Sequence, residues 1–412
     1  MVNHTDHLNA QMLETLSQQY GSSFYLLNSA RFCQNYAELT EVFRAIYPRF
    51  QVAYSYKTNY IPALCKIVDE QGGYAEVVSE MEMEIALHCG VKPEKIIWNG
   101  PVKNAEKMEW LLVNGGTVHV DSLSELHNIL TVAERHPECT LNIGLRCNFD
   151  VGDGVISRFG IDTESTEFEQ ALQLIRENPA LQLVNLHCHF AKRQVEYWPA
   201  RAKGMLQVAD RVAEALGYLP RRIDLGGGIF GKMPTSLKKQ FSSNIPDYQA
   251  YAEAVAIPFA EHFRGVDNPP ELLVEPGTAL AGDSMKYVTR VSGIKQVRGK
   301  AFATLTGSQK NISMTGVNPP IDILAAGENR QAYTGLDMVG YTCIESDVLY
   351  RNYTGELAVG DFVVFENCGS YSIVMKPPFI LPNVPVLDIC QGEAKLIKRG
   401  EVFDDLFGTY CF

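Results

Sequence analysis

Residues 51–60 read QVAYSYKTNY, an apolar run that closes on one lysine, Lys57, and then turns polar. Strand side chains alternate between faces. A strand here puts Ala53, Ser55 and Lys57 on one side and Val52, Tyr54 and Tyr56 on the other. The two small residues leave room beside the amine. A lysine at a strand end is ordinarily a surface residue. A lysine given such room is also how a protein reserves an amine for covalent chemistry, such as a Schiff base. The surrounding sequence decides between the two.

Working outward, FQVAYSYK (50–57) is the first of eight short apolar runs. The others are YAEVVS (74–79), KIIWNG (95–100), TVHVDS (117–122), LNIGLRC (141–147), LQLVNLHCH (181–189), RRIDLGGG (221–228) and ELLVEPG (271–277). Helix-like segments separate them. MEMEIALHCG runs into a C-terminal Gly90. SLSELHNILTVAERH opens with Ser122 and Glu125 at capping-box spacing, and YWPARAKGMLQVADRVAEALG ends at Gly217. Eight βα units predict a closed (β/α)8 TIM barrel over residues 30–282. Lys57, Arg146, His189, Gly226–Gly228 and Glu275 all fall at the C-terminal ends of these strands, where such barrels carry their active sites. After about residue 285 the runs shorten, alternate and break at Gly and Asn, as in MKYVTRVSGIKQV and DFVVFENCGSYSIV. That pattern predicts an antiparallel β domain of residues 1–29 and 283–412, which GSSFYLLN near the N-terminus joins as a strand.

The composition is that of a soluble globular protein: 46% hydrophobic, 20% charged, over 412 residues. A net charge of −12 argues against nucleic acid or an anionic membrane as the main partner. The N-terminus has no basic start or apolar core of a secretory signal. The ten cysteines form no CxxC pair. They read as reduced thiols of a cytoplasmic protein rather than a disulfide frame or zinc site.

Gly226, Gly227 and Gly228 follow a strand directly, which suits either a tight turn or backbone N–H groups converging on a phosphate. The run is neither GxGxxG nor a Walker A loop. His187 and His189 share a strand face, a metal-like spacing without an obvious third ligand, so no metal is expected. His189 suits an aromatic cofactor better. Glu275 at a strand end is either half of a salt bridge or the partner of a protonated ring nitrogen. A reactive lysine, a phosphate turn, a flat imidazole and a carboxylate at successive strand ends together indicate pyridoxal 5'-phosphate.

With YSYKTN, VVSEME, VDSLSEL, SRFGI, LHCHF, DLGGG, VEPG, GYTCIESD and GDFVVFENCGSYS in that order, the chain resembles the fold-type III pyridoxal-phosphate decarboxylases over roughly residues 20–385. That group includes the diaminopimelate, ornithine and arginine decarboxylases. The resemblance implies an alanine-racemase-like barrel and a decarboxylase. It makes Lys57 the lysine that holds the cofactor and His189 the ring-stacking imidazole. Gly226–Gly228 and Tyr371 become the phosphate contacts, and Glu275 the pyridine-nitrogen partner. Cys343 becomes the proton donor, supplied by the other subunit of a homodimer.

The chain departs from the family pattern at three places. Ile344 stands where those enzymes place the acid that meets a distal substrate amine; Glu345 and Asp347 are nearby but out of register. After the histidine motif, where the family continues Gly-Ser, this chain reads Ala191, Lys192 and Arg193, so two cations follow His189; Thr278 replaces the arginine after VEPG. An apolar residue in place of an acid, with added cations, suggests a substrate with an anionic far end. The expectation is a citrate-conjugated amino acid, citryl-serine or citryl-diaminopropionate in type, as in the siderophore branch of the family. The alternative is a diaminopimelate or ornithine/lysine-type enzyme of amino-acid or polyamine metabolism. A related racemase is disfavoured by Cys343, and a regulator without turnover by the presence of both Lys57 and Cys343.

Overall fold

The computed structural model describes residues 8–241, 244–314, 316–376, 378–390 and 393–411. The chain forms two compact units. One comprises Gln34–Phe230 and Ser243–Ala279; the other comprises Met1–Cys33, Gly231–Ser242 and Leu280–Phe412.

The first unit is a closed barrel of eight parallel strands: β1 (Phe50–Ser55), β2 (Tyr74–Val77), β3 (Ile96–Trp98), β4 (Thr117–Val120), β5 (Leu141–Asn148), β6 (Leu181–His187), β7 (Arg222–Asp224) and β8 (Glu271–Val274). Pairing runs β4-β3-β2-β1-β8-β7-β6-β5 and closes through β4 on β5. Every residue of β1 is buried. Parallel strands buried on both faces read as continuous apolar runs, which is why all eight are visible in the sequence. The helices start and stop where the caps predict. Ser79 and Ser122 accept hydrogen bonds from Glu82 N and Glu125 N, and Gly217 ends the helix Trp198–Leu216 at φ 81°.

One local expectation fails. β1 stops at Ser55, and Tyr56–Thr58 form a single 3-10 turn. Lys57 therefore does not follow the strand alternation; the turn presents it instead.

The second unit is a mixed sheet rather than a purely antiparallel one. Phe24–Leu27 lies antiparallel to Met285–Val297 but parallel to Val386–Asp388, and Lys300–Leu305 runs parallel to Gln331–Val339. A strand delivered from the distant N-terminus is not tied to its neighbours by a hairpin, so nothing forces it antiparallel. The helix Ala10–Tyr20, capped by the Asn9 side chain, lays Leu13 and Leu16 against Phe24, Leu26, Val288, Phe362 and Leu387. Each such side chain contributes about 1.5–3 kcal/mol by leaving water. Among the described residues no helix is long and apolar enough to cross a membrane.

Candidate active site

The Lys57 amine lies 2.5 Å from Glu76 Oε2 and 3.4 Å from Ser55 Oγ. Glu76 is fully buried at the end of β2, next to β1 in the barrel. Burial pulls the amine down, but Glu76 and then Glu275 outweigh it and hold the ammonium above its ordinary pKa. The Lys57 side chain remains 32% exposed, so the amine is held without being sealed off.

Glu275 follows the last residue of β8 and is buried. Asn99, just past β3, donates to Glu275 Oε1 at 2.5 Å and to Glu76 Oε1 at 3.0 Å, so one amide spans both carboxylates. Asn99 Oδ1 bonds His119 Nδ1, and Asn185 Nδ2 lies 2.8 Å from His119 Nε2. His119 stacks on His187 at 4.8 Å. His187 Nε2 is 3.2 Å from Glu275 Oε1, a close contact without hydrogen-bond alignment. Burial pushes the Glu275 carboxyl up, while His187 and the Lys57 ammonium pull it down further, well below the usual carboxylate range. Burial, then Glu275, pushes the Asp224 carboxyl up. Two neighbouring acids are thus driven apart, Glu275 toward its anion and Asp224 toward its protonated form. Burial holds both His119 and His189 below the ordinary imidazole value.

The glycine run is conformationally obligatory. Gly226 and Gly228 have φ of +70° and +103°. A Cβ on Gly226 would come within 2.3 Å of Cys188 O, and one on Gly227 within 2.6 Å of Glu275 O. Gly227 N donates to His189 Nδ1 at 3.0 Å, so the proton of the neutral ring sits on Nε2.

The structure thus brings Lys57, His189, Gly226–Gly228 and Glu275 to the C-terminal ends of β1, β6, β7 and β8. These residues fit pyridoxal phosphate. The amine is accessible, the Glu275 carboxyl is drawn toward its anion, and the turn admits no side chain. Sequence reasoning missed Glu76, Asn99, His119 and Asp224. It also missed that His187, Asp224 and Glu275 bring ligand atoms within 4.8 Å of one another, as a metal trio would.

The remaining candidates are placed differently. Arg193 lies 4.2 Å over the Phe230 ring and donates to Ile229 O at 3.2 Å, so its guanidinium is already engaged. Lys192 beside it forms no ion pair among the described residues. In the β unit, Cys343, Ile344 and Glu345 are exposed on the loop that follows Gln331–Val339. Asp347 is corrected as a substrate contact. It is buried, and its carboxylate accepts from Ser308 Oγ at 3.0 Å, Gln309 N at 2.7 Å and Thr342 Oγ1 at 2.6 Å. It anchors the Cys343 loop and has no capacity left for an ammonium. Tyr371 sits at φ 62°, an uncommon conformation for an aromatic residue.

The pyridoxal-dependent decarboxylase family, pyridoxal binding domain, matches residues 34–282. The diaminopimelate decarboxylase of Methanothermobacter thermautotrophicus is 27% identical over 408 residues, 95% of this chain and 92% of that protein. That of Aquifex aeolicus is 23% identical over 414 residues, with coverage of 95% and 92%. The crystal structure of the enzyme from M. jannaschii superposes with TM-score 0.85 at 22% identity, covering 97% of this chain and 94% of that one. The Helicobacter pylori enzyme complexed with L-lysine gives 0.81 at 23%, covering 96% and 98%. These relatives carry the name of the alternative reading of the sequence, not of the siderophore branch. A family match over more than half of the chain agrees with the amine and carboxylate at the barrel mouth. The chain belongs to the pyridoxal-dependent decarboxylases.

Proposed function

We propose that the chain removes the α-carboxyl group of a diamino acid of the diaminopimelate type. The observation that carries this reading is end-to-end likeness to enzymes of that name, combined with a Lys57–Glu76–Asn99–Glu275 chain built around one amine. Bound pyridoxal phosphate supplies an electron-withdrawing ring that takes up the electron pair left on the α-carbon as carbon dioxide departs. Lys57 would hold the cofactor through its amine and release the product. Glu275, whose carboxyl is drawn toward its anion, would keep the ring nitrogen protonated. His189 would face the ring and Gly226–Gly228 would hold the phosphate, with Tyr371 the further phosphate contact that the family resemblance implies. Cys343, contributed by the other subunit of a homodimer, delivers the proton to the α-carbon.

Ile344 and Lys192 favour a second reading. An alkyl group at the distal-amine position and, three residues after His189, a lysine with no ion pair among the described residues suit a substrate with carboxylates at its far end, such as a citrate-conjugated amino acid. Carbon dioxide release by the cofactor-loaded protein separates the two. The panel is meso-diaminopimelate, ornithine, lysine, citryl-serine and citryl-diaminopropionate. Turnover of meso-diaminopimelate alone supports the first reading. Turnover confined to a citryl conjugate overturns it in favour of the second.

A further inference from the structure

Arg201 is fully buried on the helix Trp198–Leu216 and forms no ion pair among the described residues. An uncompensated guanidinium in a protein interior is costly. Its donors go instead to three backbone carbonyls. Nη1 reaches Gly227 O at 2.9 Å, while Nη2 reaches Phe190 O at 3.3 Å and also Lys192 O. Its Cζ lies 4.4 Å from the centroid of the Trp198 ring. One side chain thereby ties the loop after β6, which carries His189, to the glycine turn after β7.

The direction of these bonds matters. In a trans peptide the N–H points opposite to the C=O, and no peptide here is cis. The N–H groups of Ala191 and Gly228 therefore face away from the guanidinium. Neither finds an acceptor among the described residues. A cation on the carbonyl side polarises each peptide and strengthens its N–H as a donor. No charged side chain follows Gly277, where Thr278 stands.

We infer that Arg201 is a positioning residue: its charge, relayed through the Phe190 and Gly227 peptides, gives the loop its affinity for a dianionic phosphate. The phosphate in turn supplies counter-charge to a buried guanidinium that otherwise feels the Asp153 carboxylate without an ion-pair contact. The inference rests on assigning the cofactor phosphate to Gly226–Gly228, not on the identity of the substrate.

The test compares binding of pyridoxal phosphate and of pyridoxal, which lacks the phosphate, to the cofactor-free wild type, Arg201→Met and Arg201→Lys. Binding is read by absorbance, with no reliance on turnover. Arg201→Met is expected to weaken pyridoxal phosphate by about tenfold or more while changing pyridoxal by less than about twofold. Arg201→Lys, which keeps the charge but loses the fork, is expected to fall between and covers the case in which Arg201→Met does not fold. Inorganic phosphate should raise the thermal midpoint of the wild-type apoprotein and not that of the variants. Equal weakening of both ligands would mean that Arg201 only supports the fold, and would overturn the inference. A wild type that binds the two ligands equally and ignores inorganic phosphate would overturn the phosphate assignment itself.

Discussion

Asn99 Nδ2 lies 2.5 Å from Glu275 Oε1, and the same amide reaches Glu76 at 3.0 Å. Two buried carboxylates are tolerated near each other because a neutral double donor stands between them. Asn99→Ala removes the donor and is expected to cost about 1–3 kcal/mol in chemical denaturation. Asn99→Asp keeps the shape but adds a third acid. Its carboxyl would titrate above its unfolded value, so folding is favoured while it stays protonated and loses ground as pH rises. The extra deficit of Asn99→Asp over Asn99→Ala should therefore grow from about pH 4 upward. A deficit that shrinks over that range would refute the bridging role.

Glu76→Gln addresses the amine. The Lys57 ammonium is pulled down by burial but held above its ordinary value by Glu76 and Glu275. A base whose folded pKa is raised contributes stability that is fully present below its unfolded pKa, about 10.4, and lost as pH climbs through the folded value. The stability gap between cofactor-free wild type and Glu76→Gln should thus hold steady from pH 7 to 10 and narrow above that. Urea unfolding at several pH values reads it; a gap that widens above about pH 10.4 would assign Glu76's contribution elsewhere.

The assignment of Cys343 to a site completed by a second subunit has its own test. Lys57→Ala and Cys343→Ala homodimers should each be inactive. Mixed and re-equilibrated, half the dimers pair one of each and carry one intact site of two, so activity should return to about a quarter of wild type. If mixing restores nothing while subunits demonstrably exchange, Cys343 serves its own subunit or does not serve the reaction.

How legible this was in the sequence follows from burial. The eight strands could be read because parallel strands buried on both faces leave uninterrupted apolar runs. Lys57, His189, the glycines and Glu275 could be read because each breaks such a run at its end. Glu76 and His119 were passed over for the same reason turned around: they sit inside YAEV and TVHV and looked like ordinary strand polarity. The usable signal was a charged or imidazole side chain within a run otherwise closed to water. The 3-10 turn at Tyr56–Thr58 was not legible, since boundaries shift by a residue or two without changing composition. Nor was the parallel pairing of Phe24–Leu27 with Val386–Asp388, because register between distant segments leaves no local mark.

Asp347 separates an anchor from a substrate contact. It collects bonds from Ser308, Gln309 and Thr342, and hydrogen bonds to a charged group are worth about 1.5–3 kcal/mol. Asp347→Ala is expected to lower stability by at least that amount. It should also reduce kcat by about tenfold to a hundredfold through a loosened Cys343 loop, with KM nearly unchanged. A rise in KM at unchanged stability would return Asp347 to the substrate.

The last prediction concerns a thiol outside the reaction. Cys89 caps the helix Glu80–His88, and the Cys65 thiol, donating to it, draws its pKa down to about 7. Cys139 moves the other way, pushed up by burial and then by Glu138. Alkylation goes through the thiolate, so near neutrality about half of Cys89 is reactive while Cys139 remains protonated. Iodoacetamide at pH 7, followed by peptide mass analysis, should label Cys89 ahead of Cys139, with the Cys89 rate rising through a midpoint near 7. Cys65→Ala removes the donor, and the midpoint should move toward about 8.5. If the midpoint stays near 7 in that variant, the acidity comes from the electrostatic pull of Lys66 and His88 rather than from the neighbouring sulfur.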